Sequence, residues 1–252
     1  MGESSTPRTA VGADDLVESA IAGDRRALAR LGKPSLAAVN GHALGAGAGK
    51  PFRVLVAQAP EKQNILMLGG GTLTLPQALA TQYPDSQVDV VEIDPELFEL
   101  ARARFFYNDP ANVELIAADA RRYVETTNKK YDVVLVDVYQ DGQMPFTTTT
   151  HQFAAKLSER LNPDGVVALN LIAAQSGACG DLLAAVNQSF ETALGAGKFN
   201  FQQPGQMSNL IAAYGKTGNL PDSYQALELA TKVKLTDNFA PTDQLTSQCQ
   251  NS

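Results

Sequence analysis

The sequence predicts an α/β fold with a mostly parallel seven-stranded sheet that ends in an antiparallel C-terminal hairpin. Two observations lead to this fold class. Short apolar runs, which suit strands covered on both faces, alternate with segments of helical periodicity, as in a series of βα units. The last two strand-like runs, Lys198–Gln203 and Asn209–Tyr214, are separated by a segment containing Pro204-Gly205, which favours a hairpin.

The first βαβ unit spans residues 64–94 and organises the rest of the chain. The apolar run Ile65–Leu68 predicts a buried strand, and the glycines at 69–71 predict a sharp turn that leaves bare backbone beside a ligand. A helix is predicted over Thr72–Tyr83, followed by a strand, Val88–Glu92, that ends in a carboxylate. A carboxylate in this place suits a ribose, because both ribose hydroxyls can donate to it.

The kind of nucleotide can be narrowed from the same glycine turn. The dinucleotide pattern G-x-G-x-x-G fails because Thr74 occupies its sixth position, and no Gly-Lys-Ser/Thr of a P-loop follows this strand. Phosphate binding is therefore not indicated. A nucleoside with a small tail over the glycines fits better, and S-adenosylmethionine and its relatives are such nucleosides.

The remaining elements continue the alternation of strands and helices. Asp94 is expected to cap a helix whose first residue is Pro95. Asp119 and Asp137 each follow or end a predicted strand, where ligands gather in parallel sheets. Further strands are predicted over Val113–Ala117, Tyr131–Asp137 and Val166–Ile172, helices over Ala120–Thr126, around Phe153 and Leu157, and over Asp181–Leu194, and a turn at Asn162–Gly165. These elements together predict a Rossmann-like sheet of the class I methyltransferase type.

Residues 1–50 are expected to form an N-terminal extension, a helix plus a Gly/Ala-rich linker, ahead of the main domain at 51–252. Gly32–Gly47 resembles the strand and turn of the enoyl-CoA hydratase (crotonase) family, but the likeness covers under twenty residues and the remainder of that fold has no counterpart. A Walker motif at Gly45–Lys50 fails because Leu44 and Pro51 replace its glycine and its hydroxyl residue. Neither segment is expected to be functional.

Composition excludes some function classes. The formal net charge of −7 argues against a nucleic-acid partner, and no apolar run approaches the length of a membrane span. Cys179 and Cys249 match no metal or disulfide pattern, which favours a reducing, cytoplasmic location, and no metal is expected. A homodimer is left open.

Several motifs together resemble the spermidine synthase-like proteins, the polyamine aminopropyltransferases, over about residues 52–245. The matching segments are Leu68-Gly69-Gly70-Gly71-Thr72-Leu73, Val90-Val91-Glu92-Ile93-Asp94-Pro95, Ala118-Asp119-Ala120, Tyr131–Asp137 and Leu235-Thr236-Asp237-Asn238-Phe239-Ala240-Pro241. The resemblance implies a transferase of polyamine biosynthesis that moves an aminopropyl group from decarboxylated S-adenosylmethionine to a small cationic amine.

The resemblance also implies roles for individual residues. Glu92 would hold the ribose, Asp119 would bind the adenine amino group, and Asp137 would be the catalytic residue. The rest of the predicted site consists of Gly69, Gly70, Gly71, Ile93 and Ala120 for the nucleoside, and Thr72, Tyr139 and Asp141 for the substrate. A carboxylate suits the catalytic position because a protonated amine must lose its proton before it attacks the carbon beside a sulfonium. The structural alternative for Asp137 is a cap on the next turn.

Three departures from the family pattern leave alternatives open. Thr72 stands where the family has an aspartate that binds the propylamine, and the second acid of the catalytic loop, Asp141, is shifted by one position. The family's N-terminal β-hairpin domain has no counterpart in residues 1–50. A methyltransferase that uses S-adenosylmethionine, and a non-catalytic nucleoside-binding or interaction domain, are therefore carried as alternatives.

Overall fold

The computed structural model describes residues 56–57, 63–140, 144–201, 208–215, 220–227, 229 and 234–238. Within them the strands and helices alternate as the sequence predicts. The strands are β1 (Asn64–Leu68), β2 (Gln87–Glu92), β3 (Val113–Ala117), β4 (Tyr131–Val136), β5 (Leu161–Ala173), β6 (Gly197–Phe201) and β7 (Ser208–Gly215). The helices are α1 (Thr74–Gln82), α2 (Glu96–Arg104), α3 (Ala120–Thr126), α4 (His151–Arg160) and α5 (Gly177–Leu194), with a short 3-10 turn at Phe146–Thr148.

The seven strands form one sheet in the order β3-β2-β1-β4-β5-β7-β6. Strands β1 to β5 pair in parallel, whereas β7 runs antiparallel to both β5 and β6. The chain order reverses between β1 and β4, so the carboxyl ends of β1, β2 and β4 meet beside a crevice where ligands bind in such sheets. The predicted class I methyltransferase-type sheet and its C-terminal antiparallel hairpin are confirmed.

Both faces of the sheet are buried, because side chains alternate between two separate apolar clusters. Ile65 and Met67 of β1 point into one cluster with helices α1 and α2. Leu66 and Leu68 point into the other, with α3, α4 and α5. Strands covered in this way must be apolar on both faces, which explains the continuous apolar runs of β1 and β4.

The turn predicted at Asn162–Gly165 is wrong. These residues lie inside β5, where the pairing jumps from Tyr131↔Leu161 to Val133↔Val166. Between these two pairs the chain advances by two residues in β4 and by five in β5, and the extra residues of β5 form a bulge. The segment has the composition of a turn, but it remains part of the strand because the residues on both sides of it pair with β4.

The beginnings of two helices also differ from the prediction. Helix α1 starts at Thr74 instead of Thr72, because Leu73 has a left-handed φ of 57° that a helix interior excludes. Helix α2 starts at Glu96, and Asp94 Oδ1 accepts a hydrogen bond from the Glu96 backbone N–H at 3.1 Å. Asp94 therefore serves as the predicted cap although the helix starts one residue later.

The expectation that the cysteines form no disulfide is wrong for Cys179, which is disulfide-bonded. The bond removes the argument for a reducing compartment, since disulfides persist in oxidising ones. In the part of the chain that the structure describes, no helix is long and apolar enough to cross a membrane.

Some predictions lie outside the described residues. They concern the N-terminal extension at 1–50, with its crotonase-like and Walker-like segments, and Asp141 as a substrate ligand. The division of the chain at residue 50 stays a prediction.

Candidate active site

The predicted site residues lie at the carboxyl ends of the central strands. Gly69 follows β1, Glu92 ends β2, and Asp137 follows β4. Backbone hydrogen bonds join these ends directly: the Gly69 N–H donates to Val91 O, and the Asp137 N–H donates to Leu68 O, both at 2.8 Å. The sheet therefore fixes the spacing of the glycine turn and the two carboxylates.

The glycine turn is shaped by close backbone contact. Gly69 has a φ of +93°, and a Cβ at this position would lie 2.1 Å from the backbone oxygen of Asp137. Only glycine fits such an approach. Leu73, which closes the turn with an N–H to the Gly70 carbonyl at 2.9 Å, keeps its left-handed conformation although its side chain is fully buried. Packing holds the turn in a conformation that is locally unfavourable.

Glu92 connects the turn to the following helix. Its Oε2 accepts the Gly70 N–H at 2.9 Å, and its Oε1 accepts the Asp94 N–H at 3.1 Å. Each carboxylate oxygen has a further lone pair, so two ribose hydroxyls can still donate to this group. The residue is half-buried, which leaves it accessible from the crevice.

The part of the crevice expected to bind the adenine is bordered by an exposed apolar side chain and by the N-terminus of helix α3. Ile93 is 69 % exposed, although it is a large apolar residue. Asp119 is exposed and caps α3, with its Oδ1 accepting the Arg122 N–H at 2.8 Å, while Ala120 is buried in the first turn of that helix. The Ala118 N–H donates to Glu92 O at 3.0 Å, which ties this segment to the end of β2.

Asp137 lies among groups that alter its proton affinity. Burial of the carboxyl raises the pKa of Asp137 to about 6; the hydrogen bond from Asn170 lowers this pKa, and the negative charge of Glu92 raises it. The Asn170 Nδ2 group donates to Asp137 Oδ1 at 2.9 Å. A carboxyl with a pKa near neutrality can both accept and release a proton under ordinary conditions.

Asn170 was missed from the sequence. It lies on β5 next to the end of β4 and is only 7 % exposed. The available signal was a single asparagine inside the apolar run at 166–172, because a buried amide in such a strand needs a polar partner. The Tyr139 hydroxyl donates to the backbone oxygen of Asn170 at 3.0 Å. The predicted substrate ligand Tyr139 therefore also supports this asparagine.

Thr72 is turned into the protein. It is 6 % exposed, and its Oγ1 lies 2.7 Å from Thr74 Oγ1 in a hydrogen bond. The glycine turn thus presents no carboxylate at this position. Its role as a substrate ligand stays a prediction.

A second polar cluster borders the site, centred on Arg121 of α3. The Arg121 guanidinium forms two bonds to Asp237, Nη1 to Oδ1 at 2.7 Å and Nη2 to Oδ2 at 2.6 Å. It also donates to Thr147 O at 2.9 Å and to Thr150 Oγ1 at 3.1 Å. Residues 146–150 and the segment at 234–238 are therefore fastened to the helix that begins with the Asp119 cap.

Comparison with known families identifies this arrangement. The family model described as the spermine/spermidine synthase domain matches residues 53–179, slightly more than half of the 252-residue chain. The chain belongs to this family. The matched segment includes the glycine turn, Glu92, Asp119, Asp137 and Asn170, so the spermidine synthase-like resemblance seen in the motifs is confirmed.

Two relatives within the spermidine synthase group are polyamine aminopropyltransferases by name. A probable polyamine aminopropyl transferase of Bifidobacterium longum is 35 % identical over 115 residues, which cover 46 % of this chain and 25 % of that protein. The polyamine aminopropyltransferase of Vibrio vulnificus is 32 % identical over 114 residues, covering 44 % of this chain and 38 % of that protein. The matched part thus spans well under half of the length of either relative.

A solved structure supports the fold assignment. Human methyltransferase-like protein 13, crystallised in complex with SAH, aligns with a TM-score of 0.59 at 20 % identity and covers 81 % of this chain and 90 % of that one. At this identity the likeness concerns the fold alone. The spermine/spermidine synthase domain of this chain is thus built on a methyltransferase-type sheet.

Proposed function

We propose that this chain is an aminopropyltransferase that uses decarboxylated S-adenosylmethionine and an aliphatic amine as its substrates. The observation that carries the proposal is Asp137, a carboxyl with a pKa of about 6 at the carboxyl end of β4, beside the glycine turn. An amine arrives protonated and must become neutral before it attacks. A nearby carboxylate that is ionised at pH 7 and accepts a proton readily meets this need.

The nucleoside would be bound by the groups around Glu92. Its two carboxylate oxygens hold backbone N–H groups and keep lone pairs for ribose hydroxyls. Ile93 offers an exposed apolar surface for the adenine, and Asp119 lies at the next strand end. The bare backbone of Gly69, Gly70 and Gly71 leaves space for the sulfonium and its substituent.

The acceptor is expected to be a small cation. Glu92 and Asp137 bring two carboxylates to one edge of the sheet, and their mutual repulsion is one cause of the raised pKa of Asp137. A positive charge at this edge would be attracted by both carboxylates and would reduce the repulsion between them. The family name, spermine/spermidine synthase, agrees with an acceptor of this class.

The test is a transfer assay with purified protein, decarboxylated S-adenosylmethionine and a panel of aliphatic diamines. We expect an aminopropyl adduct of the diamine and one equivalent of methylthioadenosine, both detected by mass spectrometry. The Asp137→Asn variant, which keeps the nucleoside groups intact, serves as the matched control and should give little adduct. Absence of the adduct from every amine in the panel would refute the proposed reaction.

Methyl transfer from S-adenosylmethionine is the second candidate, and the buried Thr72 favours it. A carboxylate at this position would repel the carboxylate of S-adenosylmethionine, and the inward-facing threonine hydroxyl does not. Calorimetric titration with the two nucleosides separates the candidates. Tighter binding of the decarboxylated form supports aminopropyl transfer, tighter binding of S-adenosylmethionine supports methyl transfer, and binding of neither leaves a non-catalytic domain.

A further inference from the structure

Asn170 is held by two contacts of its backbone and one of its side chain. Its backbone pairs with Ile211 in the antiparallel ladder of β5 and β7, and its backbone oxygen accepts the Tyr139 hydroxyl at 3.0 Å. Its Nδ2 group donates to Asp137 Oδ1 at 2.9 Å. At 7 % exposure the side chain has little freedom to turn elsewhere.

The amide oxygen of the same side chain lacks a partner. Asn170 Oδ1 is buried and accepts no hydrogen bond from any residue that the structure describes. Turning the amide over would not help, because the oxygen would then face the Asp137 carboxylate, which is itself an acceptor. Buried acceptors are rarely left unpaired in folded proteins. A bound molecule with an N–H group would supply the missing partner.

We propose that Asn170 Oδ1 accepts an N–H of the acceptor amine, so that Asn170 and Asp137 together select a primary aliphatic amine. This inference rests on the proposed aminopropyl transfer. It adds a substrate-binding residue and a preference between classes of amine. Ile172, two positions further along β5 and therefore on the same face of the strand, is 37 % exposed and offers an apolar surface for the methylene chain.

The chemistry explains the need for two acceptors. The incoming ammonium first gives one proton to the Asp137 carboxylate, and the neutral nitrogen then attacks the carbon beside the sulfonium. The new C–N bond forms as the C–S bond breaks, and sulfur keeps the electron pair as a neutral thioether. The nitrogen becomes positively charged, and a primary amine at this stage carries two N–H groups that can donate to Asn170 and Asp137. The proton that Asp137 accepted leaves to solvent, so the regenerated carboxylate can accept one of these two N–H groups.

A secondary amine has only one N–H group at the same stage. It can donate to one of the two acceptors and must leave the other without a partner. Hydrogen bonds to charged groups are among the stronger ones, so one missing bond changes the rate measurably. We therefore expect the wild-type protein to prefer primary over secondary amines by about tenfold or more in kcat/KM.

The experiment compares butane-1,4-diamine with N,N'-dimethylbutane-1,4-diamine, in which both nitrogens are secondary. In the Asn170→Leu variant, which keeps a similar volume but has no acceptor, the preference should fall to about twofold. The ratio of kcat/KM for two substrates is measured on one protein preparation. Partial unfolding or a changed proton affinity of Asp137 therefore affects both values and leaves the ratio unchanged. A preference that persists unchanged in Asn170→Leu would overturn the proposal.

Asn187→Leu is the matched control. Asn187 is also a buried asparagine, 8 % exposed, but its Oδ1 accepts the Tyr214 hydroxyl at 3.2 Å. This substitution should lower stability and leave the primary-to-secondary ratio as in the wild type.

A binding measurement separates this proposal from the proposed reaction. Both diamines are titrated calorimetrically into wild-type and Asn170→Leu protein in the presence of methylthioadenosine. Tighter binding of the primary diamine to wild-type protein alone supports the Asn170 site even if no transfer occurs, in which case only the reaction is refuted. Equal binding of the two diamines to the wild type, or binding of neither, overturns the Asn170 site.

Discussion

The surroundings of the Asp137 carboxyl raise its proton affinity at a cost in stability. Its pKa of about 6 lies above the ordinary value of 3.8, mainly because burial disfavours the charged carboxylate. The nearby charge of Glu92 adds to the shift, and the donor from Asn170 opposes it. A carboxyl in such surroundings is costly to ionise, and this cost is what makes it a ready proton acceptor.

Replacing Asp137 by Asn should therefore change activity and stability in opposite directions. The folded state binds the Asp137 proton more tightly than the unfolded state, so the contribution of Asp137 to wild-type stability should fall as the pH rises from about 4 to 6 and then stay level. The amide introduced by Asp137→Asn cannot ionise, and its oxygen can still accept from Asn170. We expect Asp137→Asn to gain roughly 1–3 kcal/mol of stability at pH 7, while transfer falls by about 10²–10⁴.

Urea unfolding of both proteins at pH 4 and pH 7, together with transfer rates, measures these effects. Asp164→Asn is the control, because Asp164 is exposed on the bulge of β5 and should affect neither quantity. An unchanged transfer rate in Asp137→Asn would remove Asp137 from the mechanism. If the unfolding free energies of wild type and Asp137→Asn depended equally on pH, burial would not be the cause of a raised Asp137 pKa.

At the residue scale, the sequence placed the candidate residues at one edge of the sheet but did not give their full set of contacts. Gly69, Glu92 and Asp137 could be placed because each lies at the end of a recognisable strand, and strand ends of one direction share an edge of the sheet. Asn170 could not be assigned a partner in this way. Its contact with Asp137 depends on which residues of β5 pair with which residues of β4, and this register cannot be predicted from local sequence patterns.

At the scale of the elements, the glycine turn is held by contacts between strand ends. Gly69 lies against the backbone of Asp137, so the turn after β1 and the end of β4 can only move together. The proposed nucleoside-binding groups and the proposed catalytic carboxyl are thereby kept in one arrangement. Rigid support of this kind is what precise positioning of reacting groups requires.

Two glycines with positive φ test this interpretation. In Gly69→Ala the new Cβ would lie 2.1 Å from the Asp137 oxygen and 2.8 Å from its carbonyl carbon, so the backbone of one strand end must shift. We expect a loss of about 3 kcal/mol or more and of nucleoside binding. Gly177→Ala has a similar φ of +69°, but among the described residues outside its chain neighbours and its own helix no atom lies within 4 Å of the Cβ, so it should cost only about 1 kcal/mol.

Urea unfolding and calorimetric titration with S-adenosylmethionine and its decarboxylated form measure both glycine variants. If the two substitutions cost the same, conformational strain and not the contact with Asp137 determines the requirement for glycine at position 69.

Arg121 connects three elements around the site. Its paired bonds to Asp237 lower the pKa of that carboxyl, and further bonds reach residues 146–150. The Arg121 side chain is 16 % exposed, whereas the Asp237 side chain is 38 % exposed. Asp237 nevertheless accepts three hydrogen bonds, two from Arg121 and one from the Thr150 hydroxyl, so its loss leaves more donors without a partner than the loss of a singly bonded carboxylate.

Asp237→Ala should accordingly cost about 1–3 kcal/mol and increase amide exchange at residues 146–150, whose contacts with Arg121 depend on the same pair. Glu125→Ala removes a carboxylate of similar exposure, 42 %, that accepts a single hydrogen bond from Arg121 at 2.8 Å, and should cost less than about 0.5 kcal/mol. Hydrogen exchange followed by mass spectrometry measures the local effect. Protection at 146–150 that is identical in both variants would contradict the role of Arg121 as a connection.

The error at Asn162–Gly165 has a general reason. Composition reports the local preference of four residues, and that preference favoured a turn. In the folded chain, however, the flanking residues Leu161 and Val166 both pair with β4. The ladder on either side absorbs the segment as a bulge, and long-range pairing therefore prevails over local preference.

At the scale of the whole molecule, the fold class was predictable and the covalent state was not. Alternating βα units and a terminal hairpin indicate a mostly parallel sheet with an antiparallel end, because connections between parallel strands follow a narrow set of rules. The disulfide at Cys179 has no such pattern, since the spacing of two cysteines in a chain of this length carries little information about their distance in space.

The disulfide leads to a prediction for the intact protein. Reduction by dithiothreitol should lower the free energy of unfolding by about 2–4 kcal/mol, because the cross-link restricts the unfolded chain. Cys179→Ser should lower it by a similar amount and make the stability insensitive to the reductant. Urea unfolding with and without dithiothreitol measures both, and alkylation of the unreduced, unfolded wild type should leave Cys179 unmodified. Alkylation of Cys179 without prior reduction would show that the protein exists as a thiol form, in agreement with a reducing, cytoplasmic location.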